Sequence, residues 1–177
     1  ETIETVCQSL IIVEKLQREK IRNFSKQFLF ITESTESSLT KIAKKIGALY
    51  MADVAHEAGL IAGNANSSPF PYADVVTMTT HKTLRGPRGG IIFARKEYED
   101  AIDASIFPGM QGGPHIHTIA GIAIALQKTN TVEFKRYAHQ VVKNAQYLAK
   151  EFSEFGLNVV SGGTDKHLVL IDLRNRG

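Results

Sequence analysis

From Phe28 to Arg95 the apolar residues switch repeatedly between short unbroken runs and helical spacing, and this rhythm restricts the fold more than any other feature. "FLFI" (28–31) reads as a short buried strand. "TESTESSLTKIAKKIG" offers Ser and Thr caps, then Leu39, Ile42, Ala43 and Ile46 at helical spacing, then Gly47 as a stop. "ALYMADVAH" is a second strand, "SSPFPYA" a turn-rich connection, "DVVTMTT" a third strand and "GGIIFAR" a fourth. Strand, helix, strand, connection, strand is the order of an α/β domain, and it predicts a mostly parallel sheet flanked by helices.

Further along, "KEYEDAIDASI" predicts a helix, and a glycine-rich loop, "FPGMQGGP", leads into an apolar helix over "HIHTIAGIAIALQ". After a break at "KTNT" comes the longest helical pattern. Its apolar stripe is Phe134, Tyr137, Ala138, Val141, Val142, Ala145, Leu148, Ala149, Phe152 and Phe155, closed by Gly156. "LNVVSGGTDKHLVLIDL" reads as two strands joined by a Gly–Gly turn. That change of pattern sets the expected boundary: a large domain over 1–156, and the start of a second, smaller one over 157–177. Up to Gln27 the spacing fits an amphipathic helix with Leu10, Val13, Leu16 and Ile21 roughly on one side.

Composition excludes several classes. The 177 residues are 43% hydrophobic and 22% charged, as in ordinary globular domains. The net charge of +3 and pI near 9.0 come from basic residues scattered among acids, not from the clustered patch of a nucleic-acid footprint. No apolar run approaches the ~20 residues that span a bilayer. The opening residues resemble neither a secretory signal nor a transit peptide. With Cys7 as the single cysteine there is no intrachain disulfide, and a reducing compartment, the cytoplasm, is expected. A mitochondrial or plastid form stays open.

In open α/β sheets ligands bind beyond the carboxyl ends of the strands. One strand here ends in Asp53, with His56 just after it; the next ends in Thr79, Thr80, His81 and Lys82. Alone, Asp53 reads first as a helix cap or loop ion pair, and Lys82 first as a solvated loop lysine. Together, at successive strand ends, they form the pair that a pyridoxal phosphate (PLP) site requires. A lysine bonds to the cofactor's aldehyde, and a carboxylate keeps the pyridine nitrogen protonated. Arg85, Arg88 and partial burial would favour loss of the lysine's proton. Gly86, Gly89 and Gly90 allow a tight turn after Lys82. Gly109, Gly112 and Gly113 precede a helix start, where free amides and the helix dipole suit an anion; tight loop packing explains them equally well. His115 and His117, one residue apart, should diverge on a strand or a helix, so no metal is expected.

These stretches carry a resemblance. "YMADVAHEAGLIAG", "VVTMTTHKTLRGPRGGIIFARK", "IFPGMQGGPHIHTIAGIAIAL" and "GGTDKHLVLIDLR" are similar to serine hydroxymethyltransferases (glycine hydroxymethyltransferases), densely so from about Ala48 to Arg174. The resemblance implies a PLP-dependent transferase large domain of the aspartate-aminotransferase-like type (fold type I), here incomplete. It implies transfer of the serine hydroxymethyl carbon to tetrahydrofolate, giving glycine and methylene-tetrahydrofolate, within one-carbon metabolism. By the same resemblance Lys82 is the Schiff-base lysine, Asp53 the partner of the pyridine nitrogen, and His56 the histidine near the cofactor's phenolic oxygen. Thr79 and His81 are the polar pair before the lysine, and Arg88 the arginine after the glycine–proline turn. Gly112 and Gly113 match a loop reaching the cofactor phosphate of a neighbouring subunit, which implies a homodimer or tetramer.

Some parts of the family pattern are not matched. "FLFITESTESSLT" lacks the usual serine-bearing sequence, and the first 26 residues match poorly. The stacking histidine, the tyrosines, the glutamate acid/base and the first phosphate-binding serine are expected ahead of Glu1, and the carboxylate-gripping arginine after Gly177. The chain therefore reads as a central piece expected to show no turnover alone. Two rivals remain: a cysteine desulfurase-like lyase of the same fold, which needs a mobile catalytic cysteine, and a non-catalytic protein that kept the fold.

Overall fold

Helix and strand lengths follow from which residues find cover. A computed structural model describes residues 35–174; the expected strand at 28–31, the expected helix before it and Cys7 lie outside them. Helix α1 (Thr35–Ile46) buries Leu39 and Ala43, one turn apart, and leaves Lys44 and Lys45 exposed in its last turn, where cations complement the helix dipole. Gly47, at φ +66°, ends it as expected.

The central sheet has the order β1 (Met51–Asp53), β2 (Val75–Thr79), β3 (Gly90–Ala94). β1 and β2 run parallel, with Met51, Ala52 and Asp53 level with Val75, Val76 and Thr77. β2 and β3 run antiparallel, from Val75 opposite Ala94 to Thr79 opposite Gly90. The sheet expected to be mostly parallel thus has one parallel and one antiparallel pairing among the described residues. The reason is topological: the chain doubles straight back after Lys82, without the crossover that a parallel neighbour needs. Beneath the sheet Leu39, Ala43, Tyr50, Ala52, Val54, Ala58, Ala73, Val76 and Leu84 form one buried cluster. At the end of the sheet away from Lys82, Asp74 accepts from the Tyr50 backbone amide (2.9 Å) and pairs with Arg95 (3.1 Å).

The connection from β1 to β2 contains a short helix that the pattern does not predict, α2 (Ala58–Ala62). It lies so close to the long helix further along the chain that a Cβ on Gly63 would stand 2.3 Å from that of Ala138. Past β3, a 3-10 turn (Lys96–Tyr98) opens α3 (Glu99–Ala104). A wide helical turn over Ser105–Met110 continues it, closed by the Gln111 amide donating to the Ile106 carbonyl (2.7 Å). The first half of the expected loop "FPGMQGGP" is thus drawn into this turn but broken at Phe107, whose backbone is extended (φ −135°, ψ 124°), and residues 111–115 stay open.

Two helices follow, α4 (Ile116–Thr129) and α5 (Val132–Glu154). Thr131 caps α5 by accepting from the Phe134 amide (3.2 Å). The buried stripe of α5 is narrower than expected. Phe134, Ala138, Ala145 and Ala149 are covered, whereas Leu148 and Phe155 are exposed. Small residues allow close approach along that line. Gly156, at φ +77°, ends the helix. The expected closing hairpin is two short antiparallel strands, β4 (Asn158–Val159) and β5 (Ile171–Asp172). A long excursion separates them in place of a tight Gly–Gly turn. It begins with a 3-10 turn at Val160–Gly162 and carries Lys166 and His167. No helix among the described residues is long and apolar enough to cross a membrane.

Candidate active site

Parallel neighbours end on the same side of a sheet, about 4.8 Å apart. This brings the turn after Asp53 alongside the turn that carries Lys82. Asp53 Oδ1 accepts from the Ala55 amide (3.0 Å), an Asx turn that fixes the carboxylate at the strand end. Thr79 Oγ1 donates to the Ala55 carbonyl (2.9 Å). Thr83 Oγ1 donates to the His56 carbonyl (2.6 Å) and accepts from the Gly59 amide (3.0 Å). The residue after Lys82 thus grips the backbone of His56 itself. Asp53 and His56 lie on one turn and Lys82 on another, and the two turns are tied together at the ends of β1 and β2. Thr83, which nothing in the sequence pattern marks out, is the bolt between them.

Glycine is required where the two turns meet. A Cβ on Gly59 would lie 2.1 Å from the Thr83 carbonyl oxygen, inside any permitted contact. The loop after Lys82 is fastened from within by Thr80, which is 1% exposed. Its hydroxyl donates to the Pro87 carbonyl (2.6 Å), its amide donates to the Gly89 carbonyl (3.0 Å), and its own carbonyl accepts from the Gly86 amide (2.7 Å). Among the polar residues at this strand end, Thr80 is thus the one that serves the loop rather than the crevice.

The cations flanking Lys82 are placed differently from expectation. Arg85, in the left-handed region at φ +63°, holds its guanidinium over the Tyr137 ring on α5, 4.6 Å from the centroid. It also lines a cavity of about 340 Å³ together with Lys128, Glu133 and Phe134; Asp53, His56 and Lys82 are not among the residues of that wall. Arg88 reaches His81 instead, with Nη1 3.3 Å from Nε2. Among the described residues the Lys82 side chain makes no hydrogen bond or ion pair.

A guanidinium only donates, so His81 Nε2 accepts and its proton sits on Nδ1. That Nδ1 is buried without a partner. A buried donor left unpaired is costly, and it calls for an acceptor. The set therefore fits PLP: a free amine, a carboxylate with one oxygen committed to its own turn, and an imidazole with a spare buried donor. The hydroxyl proton of Thr79 is committed to Ala55, so this side chain braces the crevice.

A second imidazole enters, that of His167, which lies within the stretch "GGTDKHLVLIDLR" but carries no assigned role there. His167 places its ring 6.1 Å from that of His56, tilted by 34°, and its Nδ1 is also buried and unpaired. Burial pushes its pKa below the ordinary value. The Glu57 carboxylate opposes this, while His56, Lys166 and Lys82 add to it. Beside it Lys166 Nζ lies 2.6 Å from Glu57 Oε1, with the two side chains 12% and 11% exposed. Gly112 and Gly113 are different again. They sit in the open loop, exposed, with nothing within 4 Å of where a Cβ would be. The rings of His115 and His117 approach to 5.5 Å, against expectation, because His115 stands outside the helical conformation that His117 adopts. Among the described residues no third metal ligand joins them.

A family model for serine hydroxymethyltransferase matches residues 32–177. The chain belongs to the serine hydroxymethyltransferase family. It is 59% identical over 136 residues to a serine hydroxymethyltransferase of Desulfotalea psychrophila, covering 77% of this chain and 32% of that protein. Similar proteins of the same name from Variovorax paradoxus and Coprothermobacter proteolyticus are 54% and 53% identical over 137 residues, 77% of this chain and 33% of each. The chain spans about a third of the length of the curated relatives it matches. Family membership does not favour the rival reading as a desulfurase-like lyase.

Proposed function

We propose that the crevice at the ends of β1 and β2 is a PLP site of a serine hydroxymethyltransferase. The whole protein would move the hydroxymethyl carbon of serine to tetrahydrofolate, yielding glycine, methylene-tetrahydrofolate and water. The observation that carries this reading is the pair of bonds from Thr79 to Ala55 and from Thr83 to His56, which tie the Lys82 turn to the Asp53 turn.

Lys82 would bond through its amine to the cofactor's aldehyde and return to it after each cycle. Asp53 would hold a proton on the pyridine nitrogen. His81 would donate from Nδ1, and His56 would hydrogen-bond beside it. Arg88 fixes the tautomer of His81 and so makes that donor available. When bound, the cofactor supplies an electron sink for the charge left when the bond between the serine α- and β-carbons breaks. The part of the protein that grips the substrate carboxylate would set that bond perpendicular to the ring.

The resemblance also assigns Gly112 and Gly113 to the cofactor phosphate of a neighbouring subunit. Support for this is the openness of the loop and the exposed apolar face of α4, both suited to a second copy in a dimer or tetramer. The proposed setting is the cytoplasm. The reading is tested by titrating the purified chain with PLP and following visible absorbance. A band shifted from that of free PLP, and abolished in Lys82→Ala, is expected. The same spectrum for wild type and Lys82→Ala would overturn it.

A further inference from the structure

The long excursion between β4 and β5 returns to the crevice, and the ion pair that holds it there is unusual. Glu57 follows His56 directly, and Lys166 precedes His167 directly. The two charges are 109 positions apart in sequence, meet at 2.6 Å and are nearly buried. Glu57 is further fixed by the Asn66 side-chain amide donating to its Oε2 (2.6 Å). A buried ion pair contributes little stability relative to an apolar pair of the same volume, because desolvation offsets the attraction. What it does supply is a definite register between the segments that carry it.

We propose that the Glu57–Lys166 pair is a latch that positions His167 against His56, making the segment around His167 one wall of the crevice. Each partner is adjacent in sequence to one of the two imidazoles, so the latch sets the separation of the rings. It also sets their electrostatic surroundings. The charged and titratable groups facing His167 are Glu57, Lys166, His56 and Lys82. With Lys166 in place the upward pull of the Glu57 carboxylate on the His167 pKa is opposed locally. Glu57 and Lys166 are positioning residues and His167 a wall residue. The relevance of the latch to the cofactor rests on the proposed PLP site; the latch itself does not.

The experiment uses the full 177-residue chain with isotope-labelled histidine. Nuclear Overhauser cross-peaks between the His56 and His167 rings, and the titration of each ring, are followed by NMR. In the wild type and in Lys166→Arg the inter-ring cross-peak should be present. In the double variant Glu57→Gln/Lys166→Met, which keeps volume and removes both charges, the chain should fold with a similar melting temperature and the cross-peak should vanish. In Lys166→Met alone the His167 titration should move upward, because Glu57 is left uncompensated; should that variant fail to fold, the double variant still decides. An inter-ring cross-peak undiminished in the folded double variant would overturn the proposal. A normal PLP band with that result would sink the latch alone. A missing PLP band in the wild type, with the cross-peak vanishing in the double variant as expected, would sink the cofactor reading alone.

Discussion

The strand-end turns and the open loop just ahead of α4 use the same residue type for opposite purposes. At the crevice a glycine is needed because something is already there: Gly59 abuts the Thr83 carbonyl, and Gly86 would bring a Cβ to 2.7 Å from the Thr80 carbonyl. In the second region Gly112 and Gly113 meet nothing, Met110 is 88% exposed and Ile116 67%. No residue of α4 is buried, although its sequence is among the most apolar in the chain. The first region is finished by bonds within the chain. The second presents apolar groups and open backbone outward. A site assembled from both would be rigid on one side and completed from outside on the other.

The contrast can be broken by substitution. The largest effect should come from Gly59→Ala, which forces backbone apart and should cost about 3 kcal/mol, measured by urea unfolding. Gly112→Ala should stay within about 0.5 kcal/mol. Equal losses at the two positions would erase the distinction. Next in size is Thr80→Val. It removes the hydroxyl that bonds the Pro87 carbonyl and should cost about 1–3 kcal/mol; no loss would mean the Lys82 loop is held by other interactions.

The smallest effect is on pH. His167 is lowered in the folded state, so below its ordinary value of 6.5 the unfolded chain binds more protons. Stability should therefore be fully present above about 6.5 and decline as pH falls through the folded value. His167→Gln should flatten that slope in melting curves recorded across the window. A slope unchanged by the substitution would place the titrating group elsewhere.

Much of the crevice is legible in sequence because it follows from period and order. Apolar runs place strands, and successive strands joined by a crossover end on one side, which singles out Asp53, His56 and Lys82 together. The parts that escape a sequence depend on distance across the fold. Nothing in the order of residues pairs Glu57 with a lysine 109 positions later. Helix α2, five residues long, is too short to show a period. Arg85 reads as a neighbour of Lys82, but its left-handed backbone belongs to a turn that takes the guanidinium to Tyr137. Phe155 fits the apolar stripe of α5 and lies 85% exposed, since a stripe records what a helix could bury rather than what covers it.

The most direct test of the central claim is covalent trapping. The chain is incubated with PLP, reduced with borohydride, digested and mapped by mass spectrometry. The account predicts one dominant pyridoxyl adduct, on the peptide carrying Lys82, strongly diminished in Asp53→Ala. Label spread over the surface lysines, with Lys82 unmodified, would contradict it.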